Sequence, residues 1–390
     1  MSNPDIRQDE KHVCVVCDRL NPVELHAYRC LPRVTSDCKP WPSGGRLFVC
    51  DGCGAIQKVA DAVWQQEIDR IYSDYQIYDL SDGAEQVIFS ATGGSAPRSK
   101  TLVDFLVSRL PPRETGHLLD IGCGNGSALT NFSNALPGWR LDGSELSNKA
   151  LTNLRKIPGF DTLHVGPIER TYDVVSLIHS LEHMLKPGAT LTDALSKLNP
   201  KGHVFVEVPD AETSPFDFIV ADHLSHFTRA TLNQLGRKVG MTVEFIGNSV
   251  LAKEITMLAT AGADKKSGGS ASPEAGREIV ARSLRWLQAI INSAFNAADQ
   301  GPIAIFGTSI SAMWLYGALR DRVALFVDED QSRIGRRIDG KPIVAPRDVK
   351  PSQVIYVPLA PQIATHVAKR LHDAPGHYIL PPVMSDVGPI

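Results

Sequence analysis

The sequence has no long basic block, no apolar run approaching the roughly 18 residues of a membrane span, and almost no cysteine beyond residue 53. Each absence excludes something. Lys plus Arg (40) nearly balances Asp plus Glu (43), for a net charge of −3. Bulk charge therefore gives nucleic-acid binding no support. No segment reads as a membrane helix, and MSNPDIRQDEKHV lacks the apolar centre of a secretory signal. A cytoplasmic protein with a small-molecule partner is expected. Of the seven cysteines, only Cys123 lies outside the first 53 residues. In a reducing compartment such clustering favours a metal site over disulfides.

What is present falls into blocks. At 390 residues the chain is too long for one typical domain. Residues 12–57 are rich in Cys, Pro and Gly. Residues 58–95 read as a helix followed by a Tyr-rich loop. Strand-like apolar runs then alternate with helical stretches over 98–260, which predicts a parallel α/β sheet. The Gly/Ser-rich stretch 261–276 reads as a linker. A helix is expected over about 278–298, where Ile279, Leu284, Leu287 and Ile290 recur at helical spacing. Residues 302–385 repeat the strand–helix alternation and predict a smaller Rossmann-like lobe.

Two cysteine pairs, Cys14-x-x-Cys17 and Cys50-x-x-Cys53, supply four thiolates for a structural, tetrahedral zinc ion. Cys30 and Cys38 lie in the excursion between them and belong to no such pair. Four thiolates leave no open coordination position, so catalytic zinc is not expected; a redox pair is the minor alternative.

The run HLLDI, 117–121, is a short strand followed at once by Gly122, Gly124 and Gly126 and then by a helix over 127–136. Glycines in such a turn let the backbone approach a ligand, and the helix N-terminus offers free N–H groups. With Asp120 at the strand end, LLDIGCGNG resembles motif I of class I S-adenosylmethionine (SAM) methyltransferases; a dinucleotide site is the competing reading. The next strand closes with GWRLDGSELS. Its Gly143, Glu145 and Ser147 match the acidic motif, which assigns Glu145 to the ribose with Asp142 as substitute. Gly166, Pro167 and Ile168 follow a third strand, in the loop that in this family lies along the adenine. The fourth strand, YDVVSLI, ends at His179, which is expected to contact the cofactor, and KGHVFVEVP is the fifth. The segment HSLEH, 179–183, also fits a zinc-peptidase pattern, but it closes a strand where a peptidase needs a buried helix. Glu182 and His183 are therefore expected near the reacting methyl.

Taken together, the blocks resemble the three-domain sugar C-methyltransferases. These join a zinc-binding N-terminal domain (here 1–70), a class I SAM methyltransferase Rossmann-like domain (71–265) and a C-terminal Rossmann-like α/β domain (275–390). The resemblance implies a nucleotide-linked keto sugar as substrate, methylated on carbon after deprotonation to an enolate. By matching position it implies catalytic roles for Tyr75 or Tyr78, for Asp222 with His223, and for His183; His226 is expected to be structural. It also implies that the C-terminal lobe, with Gly307 and Asp328, helps hold the nucleotide. Methylation on oxygen or nitrogen, and a non-catalytic SAM-binding zinc-ribbon module, are the alternatives.

Overall fold

The computed structural model describes residues 12–20, 22–75, 87–89, 95–262 and 271–384. Its centre is a seven-stranded sheet. The strands are β1 (His117–Ile121), β2 (Arg140–Ser144), β3 (Phe160–His164), β4 (Tyr172–Ile178), β5 (Leu198–Pro209), β6 (Met241–Gly247) and β7 (Glu254–Ala261). Their spatial order is β3-β2-β1-β4-β5-β7-β6. Strands β1 to β5 run parallel, and β7 is antiparallel to both neighbours. This is the Rossmann-like α/β sheet that the motif order predicts. The apolar runs of β1, β4 and β5 are buried almost throughout, as strands covered on both faces require. The direction of winding reverses between β1 and β4. Ligands of open α/β sheets bind in the crevice at the carboxyl ends of the strands at such a point.

Two smaller sheets flank it. The N-terminal sheet contains the strands Pro22–Glu24, Leu47–Cys50 and Ile56–Lys58, and its fourth strand is Ser225–His226. The segment that follows β5 thus completes the cysteine-bearing sheet. The C-terminal lobe is a six-stranded sheet, parallel except for the pair Arg337–Ile338 and Lys341–Val344.

One buried cluster runs through all three parts. Tyr28 and Val34 of the N-terminal part pack with Phe216, Trp286 and Trp314. Phe216 meets the rings of Trp286 and Trp314 edge-on at 5.4 and 5.7 Å. Trp314 also donates its indole N–H to the Pro32 carbonyl at 2.8 Å. Burying three aromatic side chains contributes more than any polar contact nearby.

The long helix begins earlier than expected, at Pro273, and runs to Ala297. Ser272 caps it by accepting the Ala275 N–H, and Pro273 takes the first turn, where its missing N–H costs nothing. The expected linker 261–276 therefore ends in a helix. That helix lies against the second cysteine knuckle. A Cβ on Gly276 would stand 2.3 Å from the Gly54 carbonyl oxygen, and one on Gly54 would stand 2.0 Å from that of Ser272. Neither position admits a side chain.

Candidate active site

The turn after β1 is built on left-handed glycines: Gly122, Gly124 and Gly126 have φ of 76°, 54° and 88°. Gly126 caps the helix Ser127–Ala135. Gly122 sits so close to Ser180, after β4, that an added Cβ would stand 2.5 Å from the Ser180 Cβ. Ser180 in turn donates to the Ile121 carbonyl at 2.7 Å. The glycine turn and the turn carrying His183 therefore share a wall. Asp120 is buried and accepts the Ser176 hydroxyl at 2.7 Å. Burial raises its pKa to about 7, Ser176 opposing and Glu145 reinforcing.

The two acidic candidates on β2 separate clearly. The Glu145 carboxylate accepts the Gly124 N–H at 2.5 Å. Asp142 points to other partners: the Tyr172 hydroxyl at 2.7 Å, His164 Nε2 at 3.0 Å, the Thr162 N–H at 3.2 Å and Arg170 at 3.3 Å. With its oxygens so occupied, Asp142 does not serve as the substitute the sequence suggested. Ser147, Gly166 and Pro167 are exposed at the carboxyl edge of the sheet, and Ile168 is half-buried. Nothing lies within 4 Å of a Cβ built on Gly166.

His179 departs from expectation. It adopts φ of 51°, and both ring nitrogens are occupied. Nδ1 lies 3.1 Å from Glu182, and Nε2 lies 2.5 Å from Glu254. Burial and Arg98 would lower its pKa, yet the two carboxylates raise it to about 10. Neither nitrogen is left for a cofactor. Glu182 takes part in the same ion pair. It is fully buried, and His179 holds it ionised, near pKa 2, against the effect of burial. Its carboxylate also lies within 4.8 Å of ring nitrogens of His183 and His223.

His183 and the segment 222–223 do meet. The Leu224 N–H donates to the Glu182 carbonyl at 2.8 Å, which ties the two segments. The His183 and His223 rings pack edge-on at 4.6 Å. His183 Nδ1 lies 3.0 Å from the Asp222 carbonyl, 3.2 Å from the Tyr72 hydroxyl and 3.4 Å from an Asp222 carboxylate oxygen. A carbonyl only accepts, so the neutral ring carries its proton on Nδ1 and keeps the Nε2 lone pair. Burial and then His223 lower the His183 pKa. The Asp222 carboxylate is held by Ser36, through its N–H at 2.8 Å and its hydroxyl at 2.5 Å. Ser36 also pairs with the Tyr75 hydroxyl at 2.8 Å. Burial and the Asp222 charge push both tyrosines up, so the phenols stay protonated.

Tyr75, Asp222, His223 and His183 therefore converge as expected, while Tyr78 lies outside the described residues. Sequence reasoning missed Tyr72, Ser36 and Asp217. Tyr72 stands at the end of the helix Ala62–Ser73 and Tyr75 just past it, and their rings meet edge-on at 5.3 Å. Ser36 comes from the loop of the cysteine excursion, which thereby forms part of the site. Asp217 accepts from Nδ1 of both His223 and His226, each at 2.6 Å.

The four knuckle cysteines gather with Cys14 and Cys53 sulfurs 3.6 Å apart and Cys17 and Cys50 sulfurs 3.5 Å apart. No pair is a disulfide. Zinc–sulfur bonds of about 2.3 Å imply tetrahedral edges of roughly 3.8 Å, so the cluster fits a zinc ion. Backbone N–H groups of Val16, Cys17 and Gly52 point at Cys14 and Cys50 sulfurs at 3.3 to 3.5 Å, as thiolates require. Cys30 is exposed, and Cys38 belongs elsewhere. Burial pushes the Cys38 thiol up to about 12, with Arg333 opposing and Asp37 and Asp222 reinforcing. The loop that carries Cys38 thus lies between the His183 cluster and the C-terminal lobe. In that lobe Gly307 has φ of 84°, Thr308 donates to Asp328 at 2.6 Å, and Arg333 donates to Thr308 at 2.9 Å.

Residues 97–244 match the family model described as a methyltransferase domain. Similar solved structures include a methyltransferase complexed with the Trm112 activator of Haloferax volcanii, at 16% identity, covering 42% of this chain and 91% of that chain, with a TM-score of 0.37. The mitomycin 7-O-methyltransferase MmcR is 19% identical, covering 42% of this chain and 54% of its own, with a TM-score of 0.37. The CurJ carbon methyltransferase is 17% identical over the same shares, with a TM-score of 0.36. The chain thus spans about half the length of the last two. No curated protein matches it. Among the described residues no helix is long and apolar enough to cross a membrane.

Proposed function

We propose that this SAM-dependent methyltransferase methylates carbon in a nucleotide-linked keto sugar, next to the ketone. The observation that carries the reading is the cluster itself. Two imidazoles, His183 and His223, packed edge-on, stand with two phenols whose pKa values are pushed up, Tyr72 and Tyr75, beside the glycine turn. A C–H next to a ketone needs a base for its proton and donors for the enolate oxygen. Imidazole and phenol fit those two tasks.

SAM would be held by the turn Gly122–Gly126 and by Glu145 on its ribose, with the 166–168 loop along the adenine. When bound, it supplies an electrophilic methyl group to the carbon. The protein's own part is to hold the sugar, take the proton on an imidazole Nε2 and donate hydrogen bonds to the developing oxyanion. The C-terminal lobe, with Gly307 and Asp328, would help hold the nucleotide. Cys14, Cys17, Cys50 and Cys53 would hold structural zinc, and the sheet they anchor carries Ser225–His226.

The test is incubation with methyl-labelled SAM and a panel of nucleotide-linked keto sugars, followed by NMR of the product. A new carbon–methyl bond, with SAM-independent solvent deuterium exchange at the same carbon, is the expected result. A methyl ether without exchange would mean oxygen methylation and overturn the proposal.

A further inference from the structure

Asp217 is the buried titratable group that the proposed function leaves unused. It sits on the short turn Pro215–Ile219 and is 4% exposed. One carboxylate oxygen accepts from His223 Nδ1 and the other from His226 Nδ1, both at 2.6 Å. We propose that Asp217 is a positioning residue for His223: clamped between two imidazoles, it fixes the His223 tautomer and aims Nε2 at the substrate as the proton acceptor. The inference rests on the methyl-transfer reading above, because it needs His223 to meet substrate.

The chemistry follows from the geometry. A carboxylate accepts only, so the ring nitrogen facing it carries the proton in neutral His223. The lone pair is then on Nε2, the ring nitrogen that does not face Asp217. When Nε2 takes a proton from the substrate carbon, the C–H pair stays on the substrate and moves toward its carbonyl oxygen. The resulting imidazolium is stabilised by the Asp217 charge a hydrogen bond away. Aspartate paired with histidine does the same in hydrolytic triads.

His226 explains why the acid stays in place. Its side chain is fully buried, and burial lowers its pKa to about 4, so it remains neutral and donates Nδ1–H to Asp217. Burial opposes ionisation of Asp217, yet His226 and His223 hold its carboxyl well below the usual range. His226 is itself fixed, because its two-residue strand pairs with Ile56–Lys58 of the N-terminal sheet. From that sheet the buried Lys58 ammonium reaches the carbonyls of Val220 and His223. The His223 ring is thus addressed from every side. Burial lowers its pKa; Asp217, then Glu182 and Asp222, raise it above the usual histidine value. His183, whose pKa is lowered, lies against it. Neighbouring imidazoles pushed in opposite directions separate the base from its neutral companion.

Selective 15N-histidine NMR of the full chain, without substrate, tests the placement; His223→Gln assigns the signal. The proton of neutral His223 is expected on Nδ1, and its pKa above the ordinary 6.5 or so. Asp217→Asn should move that pKa down. An Nε2–H tautomer, or a pKa at or below the ordinary value in the wild-type protein, would overturn the inference even if Asp217→Asn fails to fold. In kinetics, Asp217→Asn should lower kcat by ~100-fold or more and shift the acid limb of the pH profile to lower pH, with KM for SAM little changed. A loss of kcat with an unshifted limb would mean a structural role only and also overturns it. If the NMR result holds but His223→Gln keeps full methyl transfer, the dyad stands and the catalytic reading of His223 fails.

Discussion

The Gly124 N–H donates to the Glu145 carboxylate at 2.5 Å, so the turn after the first strand already touches the acid after the second. A SAM ribose entering that corner would exchange one partner of Glu145 for another, without rearranging the sheet. Glu145→Ala should therefore weaken SAM binding by ~10- to 100-fold, the value of a lost hydrogen bond to a charged group, and leave the melting temperature nearly unchanged. Titration calorimetry with SAM and thermal denaturation check the two halves separately.

Asp142 should behave in the opposite way. Its buried carboxylate satisfies Tyr172, His164, Arg170 and the Thr162 N–H. Asp142→Ala orphans several of these and should destabilise the domain by about 2 to 3 kcal/mol. The change should appear in denaturant midpoints, with SAM affinity altered far less than by Glu145→Ala.

Glu207 gives a pH signature. It is fully buried, and burial first, then the Glu254 charge, raise its pKa to about 8. Its folded pKa lies above the unfolded value, so its stabilising contribution is complete below about 4.3. That contribution is lost as pH rises toward 8. Glu207→Gln cannot ionise and still offers an acceptor to the Thr256 hydroxyl, now at 2.6 Å. The variant should gain stability relative to wild type between pH 5 and 9, as seen in paired melting curves. An unchanged difference across that range would count against a buried neutral acid.

Zinc removal should act at a distance. Cys53→Ser, or a strong chelator, should release the Gly54–Gly276 contact and loosen the sheet that carries His226. Metal analysis should give one zinc per wild-type chain. Loss of methyl transfer should parallel loss of zinc, with SAM affinity falling less.

Ser36→Ala tests the contribution of the cysteine-excursion loop. Ser36 holds Asp222 through its N–H and its hydroxyl, and it also meets Tyr75. Removing the hydroxyl should lower turnover by ~10-fold without altering zinc content. Steady-state kinetics with metal analysis decide it.

The inner strands β1, β4 and β5 were readable because they are buried on both faces and appear as apolar runs. The glycine turn was readable because only glycine tolerates its backbone. Glu145 was readable from its spacing, whereas the structural role of Asp142 was not, since its partners come from β3, β4 and the loop between them. Asp217 carried no signal: FDF between apolar residues reads as core, and its histidines lie six and nine residues on. The pairing of residues 225–226 with 56–58 is a two-residue strand joined across the chain, beyond the reach of any periodicity. The helix start at Ser272–Pro273 did carry a capping signal, hidden beside a Gly/Ser-rich stretch.

The shared N-terminal sheet also bears on the order of synthesis. Its fourth strand is Ser225–His226, so the cysteine-bearing sheet remains one strand short until the ribosome has delivered more than half of the chain. The helix that covers its second knuckle, Pro273–Ala297, arrives later still. Zinc can close the knuckles early, but the surface that receives His226 stays open through the synthesis of the entire glycine-turn region. Pairing over such separations is slow. The strand that sets the imidazoles in place is therefore among the late contacts of the metal-bearing end, and a nascent chain remains inactive until that joint closes.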